Sequence, residues 1–133
     1  MKRLLFTVVI VLGAVLVSSA KTPAEAPALT LSYEKPHWLI IAGDHLPGAN
    51  IRINYLEAYC RAGSTDADWV KHTVIPHQLE VLEVSADGDL VRLRDRLEDG
   101  VIVDHTIRST DDQVSFSISA NNPTDERSEA HWA

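Results

Sequence analysis

From Val91 to Ala120 apolar and polar residues alternate with a period of two, interrupted by short turn sequences, and this constrains the fold more than any other feature. Val91, Leu93 and Leu97 alternate with Arg92, Arg94 and Arg96, and Val114, Phe116, Ile118 and Ala120 alternate with Ser115, Ser117 and Ser119. Successive side chains of a strand point to opposite faces, so each run has one apolar and one polar side. A two-residue hairpin at Asp87-Gly88 predicts Val84 opposite Val91, Leu82 opposite Leu93, and Glu83 opposite Arg92 as an outer ion pair. A three-residue turn at Glu98-Asp99-Gly100 then pairs Leu93 with His105, Val91 with Ile107 and Arg94 with Asp104. A four-residue loop from Ser109 to Asp112 continues the register, with Ile107 opposite Val114 and His105 opposite Phe116. The expected product is a four-stranded antiparallel meander with one common apolar face.

Such a face requires cover, and the available segments are Ala28 to Tyr33, His37 to Ala42 and Ile51 to Tyr59. Turn-forming clusters recur at short intervals along the same stretch, and no window carries the 3.6-residue apolar period of a mature helix. The fold class read from this pattern is all-β, an antiparallel β-sandwich of about seven strands.

Met1-Lys2-Arg3, the apolar run from Leu4 to Val17 and the small residues Ser18-Ser19-Ala20 have the layout of a cleaved signal peptide. The run is shorter than the roughly 20 residues that span a bilayer, so no stable membrane anchor is expected after cleavage. Residues 1–20 are therefore read as signal peptide, 21–27 as a flexible spacer and 28–133 as the β domain, in a secreted or periplasmic protein. Removal of Lys2 and Arg3 takes the net charge from −7 to −9, and an acidic chain lacks the basic footprint that holds a phosphate backbone. Nucleic acid is excluded as a partner on that ground. Cys60 is the single cysteine, so no intramolecular disulfide supports the domain.

Few residues are placed to carry chemistry. His105 falls on the inferred apolar face, where a buried imidazole serves either as a base or as a core histidine satisfied by one hydrogen bond. One layer away the register sets Glu80 opposite Asp95; neighbouring carboxylates raise the pKa of one and form an acid–base pair or share a cation, or else lie solvated at a sheet edge. The spacing of His72 and His77 with Cys60 matches no usual zinc pattern, so neither metal nor other cofactor is expected. The loop Arg61 to Trp69 combines the carboxylates of Asp66 and Asp68 with the indole of Trp69. Carboxylates beside a flat apolar ring suit a sugar's hydroxyls and C–H face, although turn chemistry accounts for the same residues.

The strand Val114 to Ala120 runs into Asn121-Asn122-Pro123-Thr124 and then Ala130-His131-Trp132, and this stretch resembles the galactose mutarotase-like (supersandwich) family. Asn50-Ile51-Arg52-Ile53 is loosely similar to that family's Asn-Arg-Ile segment, with Ile51 as an extra residue. The resemblance implies that His131 and Arg52 contact sugar, and that the family's later catalytic His and Glu would lie beyond Ala133. The chain also resembles uncharacterised exported bacterial proteins. It stops on His131-Trp132-Ala133 directly after a strand and turn, as expected of a truncated, N-terminal part of such a domain. The leading expectation is thus an exported carbohydrate-binding domain using Trp69, Asp66, Asp68, Arg52 and His131. The alternatives are a structural module of the cell envelope that meets a protein partner through strand edges, or a small epimerase or hydrolase working through His105 with Glu80 or Asp95.

Overall fold

A computed structural model of the chain describes residues 28–63 and 68–131. The expected signal peptide, the spacer, Asp66 and Trp132 lie outside the described residues. Among those described, the chain is mostly β, with nine strands in three antiparallel sheets rather than about seven. The first sheet holds β1 (Thr30–Glu34), β2 (Trp38–Ala42) and β3 (Asn50–Asn54) in sequence order. The second is a short ribbon of β4 (Tyr59–Cys60) and β5 (Val74–Ile75), joined through a π-helical turn at Trp69–Thr73. The third is a four-stranded meander of β6 (His77–Val84), β7 (Leu90–Leu97), β8 (Ile102–Ser109) and β9 (Val114–Asn121).

The alternation in β7 and β8 is realised as read. Val91, Leu93, Asp95 and Leu97 on β7 are buried, as are Val103, His105, Ile107 and Ser109 on β8, while the intervening residues are more exposed. The buried set forms two clusters. Leu29, Leu31, Leu39 and Ile41 of the first sheet pack with Val91, Leu93 and Ile107 of the third. Ile75 packs with Leu97, Val101, Val103 and Ala130, with Tyr59 against them.

Register decides which polar residues join this interior. Glu83 does oppose Arg92, and their side chains approach to 3.4 Å, but a β-bulge between Val81 and Glu83 inserts Leu82 as an unpaired residue. Val81, not Leu82, therefore faces Leu93, and beyond the bulge the parity of β6 is inverted. Glu80 lies opposite Arg94 on the outer face and Leu79 lies opposite Asp95, which corrects the expected Glu80–Asp95 pair. Leu93–His105, Val91–Ile107 and Arg94–Asp104 form as expected, the last with two hydrogen bonds of 2.6 and 3.0 Å. Between β8 and β9 the turn is tighter than expected: Thr110 N–H donates to the Gln113 carbonyl at 2.9 Å, leaving Asp111-Asp112 at the tip. Ile107 thus faces Phe116 and His105 faces Ile118, two residues from the expected partners. A shift of two preserves the face, so the in–out pattern survives.

The β6–β7 turn also ties the first sheet to the third. Ser85 Oγ donates to Asp89 Oδ1 at 2.6 Å and accepts from the N–H groups of Asp89 and Leu90 at 3.0 Å each. Ser85 N–H bonds the Leu90 carbonyl, so the loop is four residues wide rather than two. Gly88 has φ +71°, and its carbonyl accepts from the Leu31 N–H at 2.7 Å and from Ser109 Oγ at 3.2 Å. A Cβ at this position would lie 3.0 Å from Thr30 Cβ. Left-handed backbone costs a non-glycine residue about 1–2 kcal/mol, and the Thr30 contact adds to it. Gly88→Ala is therefore expected to lower unfolding stability by about 1–3 kcal/mol in urea titrations; an unchanged midpoint would show that this turn does not join the sheets.

Candidate functional site

Asp95 and His105 occupy inward positions that the alternation otherwise gives to Val and Leu, and both are almost completely buried. An isolated buried carboxylate is costly, so partners must come from other elements. Tyr59 on β4 donates its hydroxyl to Asp95 Oδ2 at 3.0 Å and lies 3.1 Å from His105 Nε2. Tyr55, just after β3, places its hydroxyl 3.1 Å from His105 Nδ1. His105 Nε2 is 3.4 Å from Asp95 Oδ2, and His77 Nε2, from the start of β6, is 3.6 Å from Asp95 Oδ1.

Counting hydrogens orients this cluster. Tyr59 has one hydroxyl proton and spends it on Asp95, so toward His105 it accepts and Nε2 carries the hydrogen. Nδ1 of that tautomer then accepts from Tyr55, which gives one direction of donation: Tyr55 to His105 to Tyr59 to Asp95. The tyrosines remain donors well above neutrality. Burial pushes the Tyr55 hydroxyl up to about 12, assisted by the Asp95 carboxylate and Tyr33, and burial with the charge and hydrogen bond of Asp95 pushes Tyr59 higher still. Tyr33 is raised by burial and by Asp95 as well. The satisfaction is incomplete, because Asp95 Oδ1 and His37 Nδ1 are buried without a hydrogen-bond partner. Among the described residues, no group of three or more His, Cys, Asp or Glu side chains is arranged to hold a metal ion.

Above the cluster lies an open cavity of about 550 Å³. Tyr59, Cys60, His105 and His131 line it together with the aliphatic Val103 and Ile118. His131 reaches it because the segment before it is stapled across the ribbon: Arg61 bridges to Ala130, His131 N–H donates to the Cys60 carbonyl at 2.8 Å, and Arg61 Nε meets Glu129 Oε2 at 2.7 Å. Asp99 at the β7–β8 turn secures the same segment, accepting from Ser128 Oγ at 2.6 Å and from the N–H groups of Glu129 and Val101 at 3.1 and 3.2 Å.

Of the residues singled out in the sequence, His105 and His131 therefore share one cavity, with Asp95 behind His105. Of the other described residues singled out, Cys60 also lines this cavity and the rest lie elsewhere. Glu80 is exposed on the outer face with its carboxylate 4.0 Å from Arg96. Arg52 on β3 pairs with Glu34 at 3.1 Å and stacks over the Trp38 ring at 4.4 Å. Asp68 accepts from the Lys71 N–H at 2.8 Å, the turn-chemistry role, and Trp69 beside it is half-exposed and outside the cavity lining. Tyr55, Tyr59 and His77 were not singled out for this cluster, and only the alternation that turns Asp95 and His105 inward hints that such partners must exist.

No protein-family model matches the chain, and no curated protein and no solved structure is similar to it. Among the described residues no helix is long and apolar enough to cross a membrane.

Tyr59→Phe removes the hydroxyl between Asp95 and His105 while keeping the ring. It should cost about 1–3 kcal/mol in chemical denaturation, because two buried polar groups lose their partner; a neutral effect would mean that the cluster repacks. The strap has its own pH signature. Burial raises the Asp99 carboxyl, but the hydrogen bonds from Ser128, Val101 and Glu129 together outweigh it and hold the group below its ordinary value of 3.8. A depressed carboxyl contributes stability that is complete above the unfolded value and is lost as pH falls through the folded one. The protection factor of the Glu129 amide, its exchange rate relative to the unprotected rate at the same pH, should therefore fall only below about pH 4, and Asp99→Asn should remove that dependence.

Proposed function

We propose that this chain is an exported carbohydrate-binding domain, a two-layer β-sandwich in which the first sheet covers the third, with its ligand seated in the cavity beneath His131. The observation that carries this reading is the shared lining. The imidazole of His131 and the phenol of Tyr59 stand beside the aliphatic side chains of Leu56 and Ile118, with Val103 and His105 forming the buried floor. A sugar ring presents hydroxyls around its rim and C–H bonds on its face, and needs both kinds of surface within one site of modest volume. His131 is exposed at the mouth, where a hydrogen bond to a hydroxyl costs little desolvation.

The directed chain from Tyr55 to Asp95 also supports a second reading, a small epimerase or hydrolase in which His105 works with Asp95 rather than with Glu80. Binding is the better supported of the two, since both ring nitrogens of His105 are already engaged by tyrosine hydroxyls and the residue is almost fully buried. Calorimetry against a panel of mono- and oligosaccharides, with turnover followed by NMR, separates the two. His131→Ala should weaken binding about tenfold, the worth of one hydrogen bond, while Trp69→Ala leaves it unchanged. Loss of binding in Trp69→Ala alone would move the site to the loop at 61–69. Catalytic conversion abolished by His105→Ala would favour the enzyme, and silence toward every sugar would sink both readings.

A further inference from the structure

The two edges of the four-stranded sheet are built differently. β6 carries a bulge at Leu82 and two outward carboxylates, Glu80 and Glu83, and it follows Pro76; irregularity and charge are what keep an edge from pairing with another chain. β9, the opposite edge, has none of these. It is eight residues long, pairs with β8 without a register break, and contains no charged residue and no proline. Among the described residues no strand pairs with its outer edge. Its inner face is only partly covered: Val114 packs against the core and the Phe116 ring lies 5.7 Å from that of Tyr55, but Phe116 remains 44% and Ile118 57% exposed.

We propose that β9 is a homodimerisation edge, joining a second copy of this chain into a continuous eight-stranded antiparallel sheet about a two-fold axis at Ser117. The sequence of β9 is self-complementary in that register. Ser117 faces its own copy, Phe116 faces Ile118 of the second copy, and Val114 faces Ala120 of the second copy, so apolar groups stay inside and serines outside. A one-residue slip would bring the second copy's serines onto the apolar side. Continuing outward, the row Arg108–Ser115 meets Ser119–Asp104 of the second copy, and the same row repeats by symmetry. The charges at the ends of these rows lie three strand spacings of about 4.8 Å each apart, beyond the screening length, and Asp104 is already held by Arg94, so the register rests on the apolar and serine rows alone. In a chain of net charge −7, this neutral edge is a surface where two copies approach without like charges in contact. Eight residues a side make a small interface, so the association is weak and depends on concentration.

Sedimentation equilibrium of the full chain over a wide concentration range tests this, together with two variants. The wild-type chain should pass from monomer to dimer. Ser117→Lys, which sets like charges against each other on the axis from an exposed outer position, should weaken dimerisation about tenfold or more with an unchanged circular dichroism spectrum. In a Cys60→Ser background, Ser117→Cys should form an interchain disulfide on mild oxidation, because paired Cα atoms about 4.5–5.5 Å apart are within disulfide reach. Ser115→Cys, offset from its own copy by four residues, should cross-link at least about tenfold more slowly. A monomer at every concentration, a dimer indifferent to Ser117→Lys, or equal cross-linking at both positions would overturn the proposal. If Ser117→Lys disturbs the fold, the cysteine pair decides alone. Ile118 also lines the proposed sugar cavity, but none of these measurements involves a ligand, so the inference is tested independently of the carbohydrate reading.

Discussion

Asp95 carries a carboxylate at a position where the surrounding pattern places leucine and valine, and much of the molecule is arranged around accommodating it. A buried acceptor of this strength must be met by donors, and its own strand has none to offer, because its cross-strand neighbours are Leu79 and Val103. The donors come from the other sheets: Tyr59 from the ribbon directly, and Tyr55 from the end of the first sheet through His105. One carboxylate thereby links three sheets. The position is also where the two apolar clusters meet, since Leu93 belongs to one and Leu97 to the other. A shift of either neighbouring sheet would strand Asp95 or His105, so the polar seam specifies how the layers align as well as holding them.

The same seam shapes the candidate site. Tyr59 and His105 are held by each other and by Asp95, so their orientation at the cavity is set before any ligand arrives, and preorganisation reduces the entropy that binding must overcome. His131 is positioned differently, by backbone pairing with Cys60 and by the Asp99 and Arg61 contacts that pin the segment before it. One wall of the cavity is thus fixed by core packing and the other by a strap on the surface.

Local sequence determined the alternation of β7 and β8, the turns that join them and the ion pairs Glu83–Arg92 and Arg94–Asp104. These depend on residues close in sequence, and a period of two tolerates the two-residue difference found at β9. It also placed Asp95 and His105 on the inner face, since parity needs only an anchored strand. What it could not supply was the bulge at Leu82. A single inserted residue has no compositional signature in a run such as Leu79 to Val84, yet it turned Glu80 outward and removed the carboxylate pair.

Only the tertiary structure decided that Tyr55 and Tyr59 answer Asp95, because they stand 40 and 36 residues away in sequence and nothing local sets their approach, whereas His77 arrives through the β6–β7 hairpin. The same holds for the candidate sugar ligands. Arg52 enters through the family resemblance, and Asp68 and Trp69 through residue type, and folding gives the first two other partners: Arg52 neutralises Glu34 over Trp38, and Asp68 caps the turn at Lys71. His105 and His131 came together because strand pairing across the ribbon brings residue 131 alongside Cys60. Sequence sets which way a side chain points along its own strand, whereas the distance between strands is set by packing summed over the whole chain.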